Sequence, residues 1–326
     1  MLHKNKDEFL SLIKSKHERT GFSEQLLEKD YYLSLMLSEI KSIDKNLVFK
    51  GGTCLNKIYF SHFRLSEDLD FTLIINDNIS EHRVRKQKVL PIKEKLSKCA
   101  SKFDLKYYNM DVRNAYKHIE YYLSYDSAVT GGKGSIKFEV SVRNNPLLPT
   151  VEKDVKHVFE DPFNNRPLFN SGKVTCLDLK EVVAEKLRAA VTRDDIAPRD
   201  IYDIAWLHKH DFNIADYKII HMFEIKCREA YCERGGNKKE FVFNIKEYKN
   251  NLGREPISLE MMKKRSSKEL GDVIDPAEKS TYSIEDDLKI VNKVFSEINR
   301  VYCAVKAKNV RKRNIENNEN QKENKY

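Results

Sequence analysis

The stretch from Leu47 to Leu73, LVFKGGTCLNKIYFSHFRLSEDLDFTL, constrains this chain more than any other. It opens on an apolar run, Leu47 to Phe49, breaks at Gly51 and Gly52, and continues through about two helical turns. It closes on Asp68-Leu69-Asp70 inside a second apolar run. Carboxylates two residues apart on a strand project from one face, because successive strand side chains alternate sides, and Leu69 and Phe71 then turn to the core. No Lys or Arg lies between the two aspartates to relieve their repulsion; a divalent cation would neutralise both. A Gly-Gly-Thr break ahead of a helix offers free backbone N–H groups, with the helix dipole behind them, to a phosphate. Alone, the first half reads as a solvated strand edge and the second as a turn. On one strand-helix-strand unit they describe a metal-dependent nucleotide site.

An apolar residue, Gly-Gly, a short helix and then Asp-x-Asp on the next strand resembles the nucleotidyltransferase signature of the polymerase β-like superfamily. In particular, KGGTCLNK followed by RLSEDLDF resembles the AbiEii/AbiGii family of bacterial nucleotidyltransferase toxins. The gap from Thr53 to Asp68 is longer than in the generic pattern and suits this branch, in which Arg and Ser-Glu precede the carboxylates. The resemblance implies that Asp68 and Asp70 hold Mg²⁺, with Mn²⁺ as a substitute, and that Gly51, Gly52 and Thr53 cradle the triphosphate of an NTP. Arg64 would counter its charge. Ser66, two residues before Asp68, borders the same site if the strand is already extended there; its plainer role is to hydrogen-bond the turn.

The chain has 326 residues, room for two domains, with 40% hydrophobic and 33% charged content, the balance of a soluble globular protein. No run approaches the eighteen or so apolar residues of a membrane span, and MLHKNKDEF lacks a signal peptide's apolar block. The expectation is a cytoplasmic protein with no membrane partner. The six cysteines form no CxxC pair and read as reduced thiols. A net charge of +9 tilts the reading slightly toward a polyanionic partner.

Apolar residues at helical spacing, with Ser23 as N-cap, predict a helix over 24–42 packed through Leu26, Leu27, Tyr31, Leu35 and Ile40. Its Lys29-Asp30-Tyr31 matches a segment the AbiEii family shares ahead of the glycine turn; from the residues alone it is a salt-linked helix face. A second helix over 80–100 starts at Ser80 and is kinked or broken by Pro91. Its basic run from Arg83 to Lys98 is either a solvated face or a track for a phosphate backbone. Strands follow over 104–112 and 116–126, then the loop 128–134. From Ser135 to Arg143 the residues alternate, with Glu139 on the polar face, and IKFEV resembles the strand that brings a third carboxylate to the metal.

The Asn-Asn-Pro, Leu-Pro, Asp-Pro and Arg-Pro steps of 144–172 mark a connecting arm and a domain boundary. After a strand at Lys173–Cys176, Asp178 and Glu181 make a capping-box-like start to a helix packed through Leu179, Val182, Val183, Leu187 and Ala190. Lys186 lies beside that stripe, either snorkelling or aimed at an anion. Pro198 suits the first turn of the next helix, whose Asp200 and Asp203 share a face and can cap it or pair with Arg193 or Arg199. AEKLRAAVTR followed by APRDIYDIAWL resembles the family's second block. That implies a phosphate contact for Lys186 and an active-site role for Asp203 or Asp200, without separating the two.

Helices are predicted over 214–232, 257–271 and 283–303, and a polar, disordered tail over 306–326. The expectation is an α/β (α+β) protein. Residues 1–172 form a nucleotidyltransferase core with a small mixed sheet flanked by helices, and 173–305 a mainly helical C-terminal domain. The implied reaction moves a nucleoside monophosphate from an NTP to an acceptor hydroxyl, the 3′ end of tRNA, in the toxin of a toxin–antitoxin or phage-abortive pair with a cognate antitoxin. Nucleotidylylation of a protein Ser, Thr or Tyr and an inactive nucleotide-binding module are the alternatives.

Overall fold

The chain's structure is a computed structural model that describes residues 2–61, 63–75, 81–161, 164, 166–193, 197–245 and 259–323. Contacts divide it into two compact units, Met1–Val182 with Ser267–Tyr282, and Val183–Ser266 with Ser283–Tyr326. The first begins with α1, Lys6–Thr20, which Asn5 caps and Gly21 ends at φ 74°. Only Phe9, Ile13 and Lys16 of α1 are buried, so its short apolar stripe among charges escaped the sequence reading. Helix α2, Glu24–Ser38, starts at Ser23, whose hydroxyl accepts the Leu26 N–H at 3.3 Å. The predicted helix breaks at Glu39, and α3 covers Ile40–Ile43.

The signature unit is β1 (Leu47–Lys50), α4 (Gly51–Cys54), a π-helical turn (Leu55–Tyr59) and β2 (Asp68–Leu73). Then come α5 (His82–Ser101), β3 (Lys106–Arg113), β4 (His118–Asp126), β5 (Lys133–Ser141), β6 (Val151–Asp154) and β7 (Lys173–Cys176). Among the described residues the strands make one seven-stranded sheet in the order β3-β4-β5-β2-β1-β7-β6. Pairs β2–β5 and β1–β7 are parallel and the other four antiparallel. The arm 144–172, read as a boundary, carries β6, which pairs with β7 inside the first unit.

One face of the sheet is the core. Phe71 stacks on Phe138 at 4.8 Å and packs against a tilted Phe49 at 5.2 Å. Helices α2 and α5 cover this face: the Tyr32 and Tyr125 rings lie 4.3 Å apart, and the Tyr121 hydroxyl donates to the Val89 carbonyl at 3.2 Å. Pro91 sits inside α5 without ending it. Buried Val89, Ile92 and Leu96 anchor the helix on both sides of the proline; at about 1.5–3 kcal/mol each they outweigh its cost of about 3 kcal/mol. The expected start at Ser80 lies outside the described residues.

Helix α6 spans Leu179–Thr192, and the division between units falls within it. Asp178 caps it by accepting the Lys180 N–H at 2.9 Å. Glu181 does not complete a capping box: buried, it accepts the N–H groups of Leu147 and Leu148 at 2.9–3.0 Å and fixes the chain that leaves β5. Next come α7 (Pro198–Lys209), α8 (Tyr217–Glu233), α9 (Leu259–Leu270), α10 (Pro276–Lys279) and α11 (Ile284–Glu323). The expected start of α9 at 257 is outside the described residues. Within the second unit α11 packs on α7 and α8, with Phe223 and Phe295 at 6.1 Å and Lys209 paired to buried Asp287 at 2.7 Å. The tail expected to be disordered from 306 is helical in backbone to Glu323. No Gly or Pro interrupts 284–323, so nothing local ends the helix. Among the described residues no helix is long and apolar enough to cross a membrane.

Candidate active site

On the sheet face opposite the core, strand alternation sets out a row of charged side chains. Across the parallel β2–β5 pair Asp70 stands opposite Glu139, and Asp68 opposite Lys137. The Lys137 ammonium lies 3.3 Å from Asp68 and 3.6 Å from Glu139. Burial, then the Glu139 and Asp68 charges, push the Asp70 carboxyl up to about 7. Burial works against the charge of Lys137, but Asp68, Glu139 and Asp70 outweigh it and raise its pKa. Asp68, Asp70 and Glu139 thus bring three carboxylates to two adjacent strands, oxygen donors of the kind a hard divalent cation takes.

Strand β4 extends this face with His118, Glu120 and Tyr122, none of which the sequence reading singled out. His118 lies 3.1 Å from Glu120 and 3.4 Å from Glu139, and the Tyr122 hydroxyl donates to Glu120 at 2.6 Å. One ligand atom from each of His118, Glu120 and Glu139 falls within 4.8 Å of the others. The available signal was period-two alternation in YKHIEYYLSYD, which puts His118, Glu120 and Tyr122 on one side.

The glycine turn abuts the carboxylates because β1 and β2 pair with Lys50 opposite Asp70. Gly51 has φ 78°, and a Cβ there would run into the Asp70 carboxylate; one on Gly52 would meet the Arg64 guanidinium. Ser66 Oγ borders Gly52 on the same side. The two glycines form the first turn of the helix themselves, with Lys50 as N-cap. Thr53 is buried and its hydroxyl donates to the Asp68 carbonyl, tying the turn to β2, so only its backbone is left to meet a ligand. Arg64 is 2% exposed and donates to the Leu65 carbonyl at 3.1 Å. The Leu65 N–H, bonded to the Val273 carbonyl at 2.7 Å, holds this segment in place.

Helix α2 braces the whole arrangement. Asp30, at 1% exposure, pairs with fully buried Lys57 of the π-helical turn at 2.7 Å, and Lys57 also donates to Ser34 at 2.8 Å. Lys29 pairs with Glu67, next to Asp68, at 2.9 Å, and Glu28 accepts the Ser127 hydroxyl and the Ala128 N–H in the loop before β5. The salt-linked helix face read from Lys29-Asp30-Tyr31 is thus, at Asp30, a buried brace.

In the second unit, Lys186 on α6 lies between two carboxylates of α7, 2.9 Å from Asp200 and 2.8 Å from Asp203. Both aspartates are buried, and Arg193 reaches Asp200 at 3.2 Å. Burial would raise the Asp200 carboxyl, but Lys186 and Arg193 together hold it below its ordinary value. Both aspartates share one lysine, which by itself does not separate their roles. The expected site residues thus gather into two clusters, one per unit. The basic helix α5 lies on the core face, opposite Asp68, Asp70 and Glu139. Its Arg85 is buried and donates to the Ala115 carbonyl at 2.9 Å, which leaves the expected phosphate track on the far side of the sheet from the carboxylates.

The fold is similar to that of MenT4, a nucleotidyltransferase toxin from Mycobacterium tuberculosis H37Rv, with a TM-score of 0.59 and 16% identity over 89% of each chain. JHP933 from Helicobacter pylori aligns with a TM-score of 0.46 and 16% identity, over 89% of this chain and 99% of that one. Among curated proteins none matches the sequence. The profile of the family described as "Nucleotidyl transferase AbiEii toxin, Type IV TA system" matches residues 36–289, well over half of the chain. Its span takes in the glycine turn, the paired aspartates of β2, Glu139 and the Lys186 cluster, and the chain belongs to the AbiEii family of nucleotidyltransferase toxins of type IV toxin–antitoxin systems.

Proposed function

We propose that this protein transfers a nucleoside monophosphate from an NTP to a hydroxyl of RNA, the 3′ end of tRNA, with release of pyrophosphate, and that a cognate antitoxin restrains it. One observation supports this reading above the others: the Asp68, Asp70 and Glu139 carboxylates share a face with a glycine turn that only a residue without a Cβ can bring against Asp70. In this reading the three carboxylates hold Mg²⁺ or Mn²⁺. The bound cation would offset the charge of the triphosphate and lower the pKa of the acceptor hydroxyl.

The chain's own residues supply binding and orientation, which is most of what phosphoryl transfer asks of a protein. The backbone of Gly51, Gly52 and Thr53 approaches the phosphates without side-chain obstruction, and the Arg64 guanidinium behind Gly52 counters their charge. Lys137, between Asp68 and Glu139, offsets their mutual repulsion in the resting protein. Lys186 contributes positive charge toward the triphosphate, and Asp203 or Asp200 orients the acceptor; their mutual ion pairs hold both groups ready in the resting protein. The net charge of +9 suits a polyanionic acceptor.

Incubating the protein with each α-labelled NTP, Mg²⁺ and either total RNA or an RNA-free lysate tests the reading. Label in an RNA band is the expected result. Label in protein would replace the acceptor with a Ser, Thr or Tyr hydroxyl, and label in neither would leave a nucleotide-binding module.

A further inference from the structure

We propose that Tyr122 and Tyr108 form a stacking platform for the unpaired terminal nucleotides of the acceptor RNA, laid out along the sheet row that begins at Asp68. The inference rests on the transferase reading only for the direction in which the strand runs. Register defines the row: Asp68 on β2 faces Lys137 on β5, Lys137 faces Tyr122 on β4, and Tyr122 faces Asn109 on β3. Strands lie roughly 4.8 Å apart, so Tyr122 stands about 10 Å from Asp68 and β3 about 14 Å from it.

Tyr108 occupies an irregularity of β3, where the register shifts between Tyr107 and Asn109. Its hydroxyl meets Ser135 Oγ at 3.1 Å, two strands away on β5. To span that distance the side chain must run across β4, and it is still 55% exposed. The Tyr122 ring lies 6.1 Å from it and is tethered by its own hydroxyl to Glu120 at 2.6 Å. Two rings pinned at their polar ends, one of them well exposed, can take flat groups at low entropic cost. Each nucleobase has such a face, which is why aromatic platforms hold single strands with little regard to sequence.

The cations along this face are set among carboxylates: Lys133 pairs with Asp126, and Lys137 with Asp68 and Glu139. Exposed Lys106 precedes Tyr108 on β3, exposed Lys133 opens β5, and Lys137 lies within the row itself. The row also begins at a carboxylate of the transfer site, so a strand whose 3′ hydroxyl reaches Asp68 and Asp70 leaves its preceding bases over Lys137 and the tyrosines. The basic helix α5, on the far face, cannot provide this contact.

The test is equilibrium binding by fluorescence anisotropy, using the full chain without metal or NTP and a labelled single-stranded hexaribonucleotide. An abasic hexamer carries the same phosphates without bases. Wild-type protein should prefer the base-bearing strand. Tyr108→Ala and Tyr122→Leu should each weaken its binding on the order of tenfold while leaving the abasic strand unchanged, and the two Tyr→Phe variants, which lose the tether but keep the ring, should weaken it less. Tyr108 is exposed enough that its loss leaves the fold intact, which circular dichroism verifies. Equal binding of the two strands, or unchanged binding by Tyr108→Ala and Tyr122→Leu, overturns the platform. A Tyr108→Ala protein that loses NTP affinity but not hexamer affinity, or that slows labelling of a protein acceptor but not hexamer binding, overturns the assignment to RNA. Because the assay involves no turnover, a failed platform leaves the transferase reading standing, and a failed transfer assay leaves the binding result intact.

Discussion

Asp70 and Glu139 stand directly opposite each other on parallel strands, with Asp68 one same-face position away and Lys137 bridging Asp68 and Glu139 at 3.3 and 3.6 Å. Like charges at this separation repel, and burial adds to the cost, which is why the Asp70 carboxyl is pushed up to about 7. A divalent cation bound there would relieve that cost. Adding Mg²⁺ or Mn²⁺ should therefore raise the melting temperature of the wild-type protein by a few degrees. The same titration on Asp68→Asn should show a much smaller rise; an equal rise would place the cation elsewhere.

Lys186 is as much a structural as a functional group. Removing it leaves Asp200 and Asp203 buried without their shared cation, and losing one partner of a buried pair costs about 3–5 kcal/mol. The ion pairs at 2.9 and 2.8 Å are what tie Lys186 into the fold. Urea denaturation should show Lys186→Ala markedly destabilised at pH 7, with Lys186→Arg closer to wild type.

The pH dependence of that difference has a definite sign. The folded Asp200 carboxyl lies below its ordinary value: burial would raise it, and Lys186 and Arg193 together more than reverse that. Its contribution is fully present above the unfolded value of about 3.9 and is lost as pH falls through the lower folded value. The stability gap between wild type and Lys186→Ala should thus be wide near neutrality and narrow on acidification. A gap that widened toward low pH would contradict the assignment.

The brace beneath the glycine turn makes a separate prediction. Lys57→Met strands the Asp30 carboxylate in the core and should cost about 3–5 kcal/mol, while the double change Asp30→Leu with Lys57→Met should recover much of it, since an apolar pair needs no compensation. Thermal melts of the two proteins decide this. A double variant no more stable than the single one would mean that the pair does more than neutralise its members.

Ser66 borders Gly52 at the edge of the site. A negative charge there meets Asp68, Asp70 and the incoming triphosphate together, so Ser66→Asp should silence transfer while Ser66→Ala retains most of it. Full activity in Ser66→Asp would place this side chain outside the site.

Most of the carboxylate face was legible because period-two alternation is rigid: once Asp68-Leu69-Asp70 and Ile136-to-Val142 are read as strands, the sides of Asp68, Asp70 and Glu139 follow. The glycine turn was legible for the same local reason. What escaped was set by pairing across the sheet. Register brings His118 and Glu120 to Glu139, yet nothing in the sequence near residue 118 indicates that neighbour. Likewise, Asp30 looked like a helix-surface charge because its partner, Lys57, lies in a different element. The basic run of helix α5 left a solvated face and a phosphate track both open: its charges are conspicuous, but its three buried apolar anchors decide which face of the sheet it covers.

The proposed transfer puts Asp70 at the centre of the site. The direct measurement is incorporation of α-labelled NTP into total RNA in Mg²⁺ by purified wild-type protein and by Asp70→Asn, each verified as folded by circular dichroism. The account predicts label in RNA with wild type and loss of at least about a hundredfold with Asp70→Asn, the scale on which removing a centrally placed electrostatic group acts. Transfer by Asp70→Asn at close to the wild-type rate would contradict it.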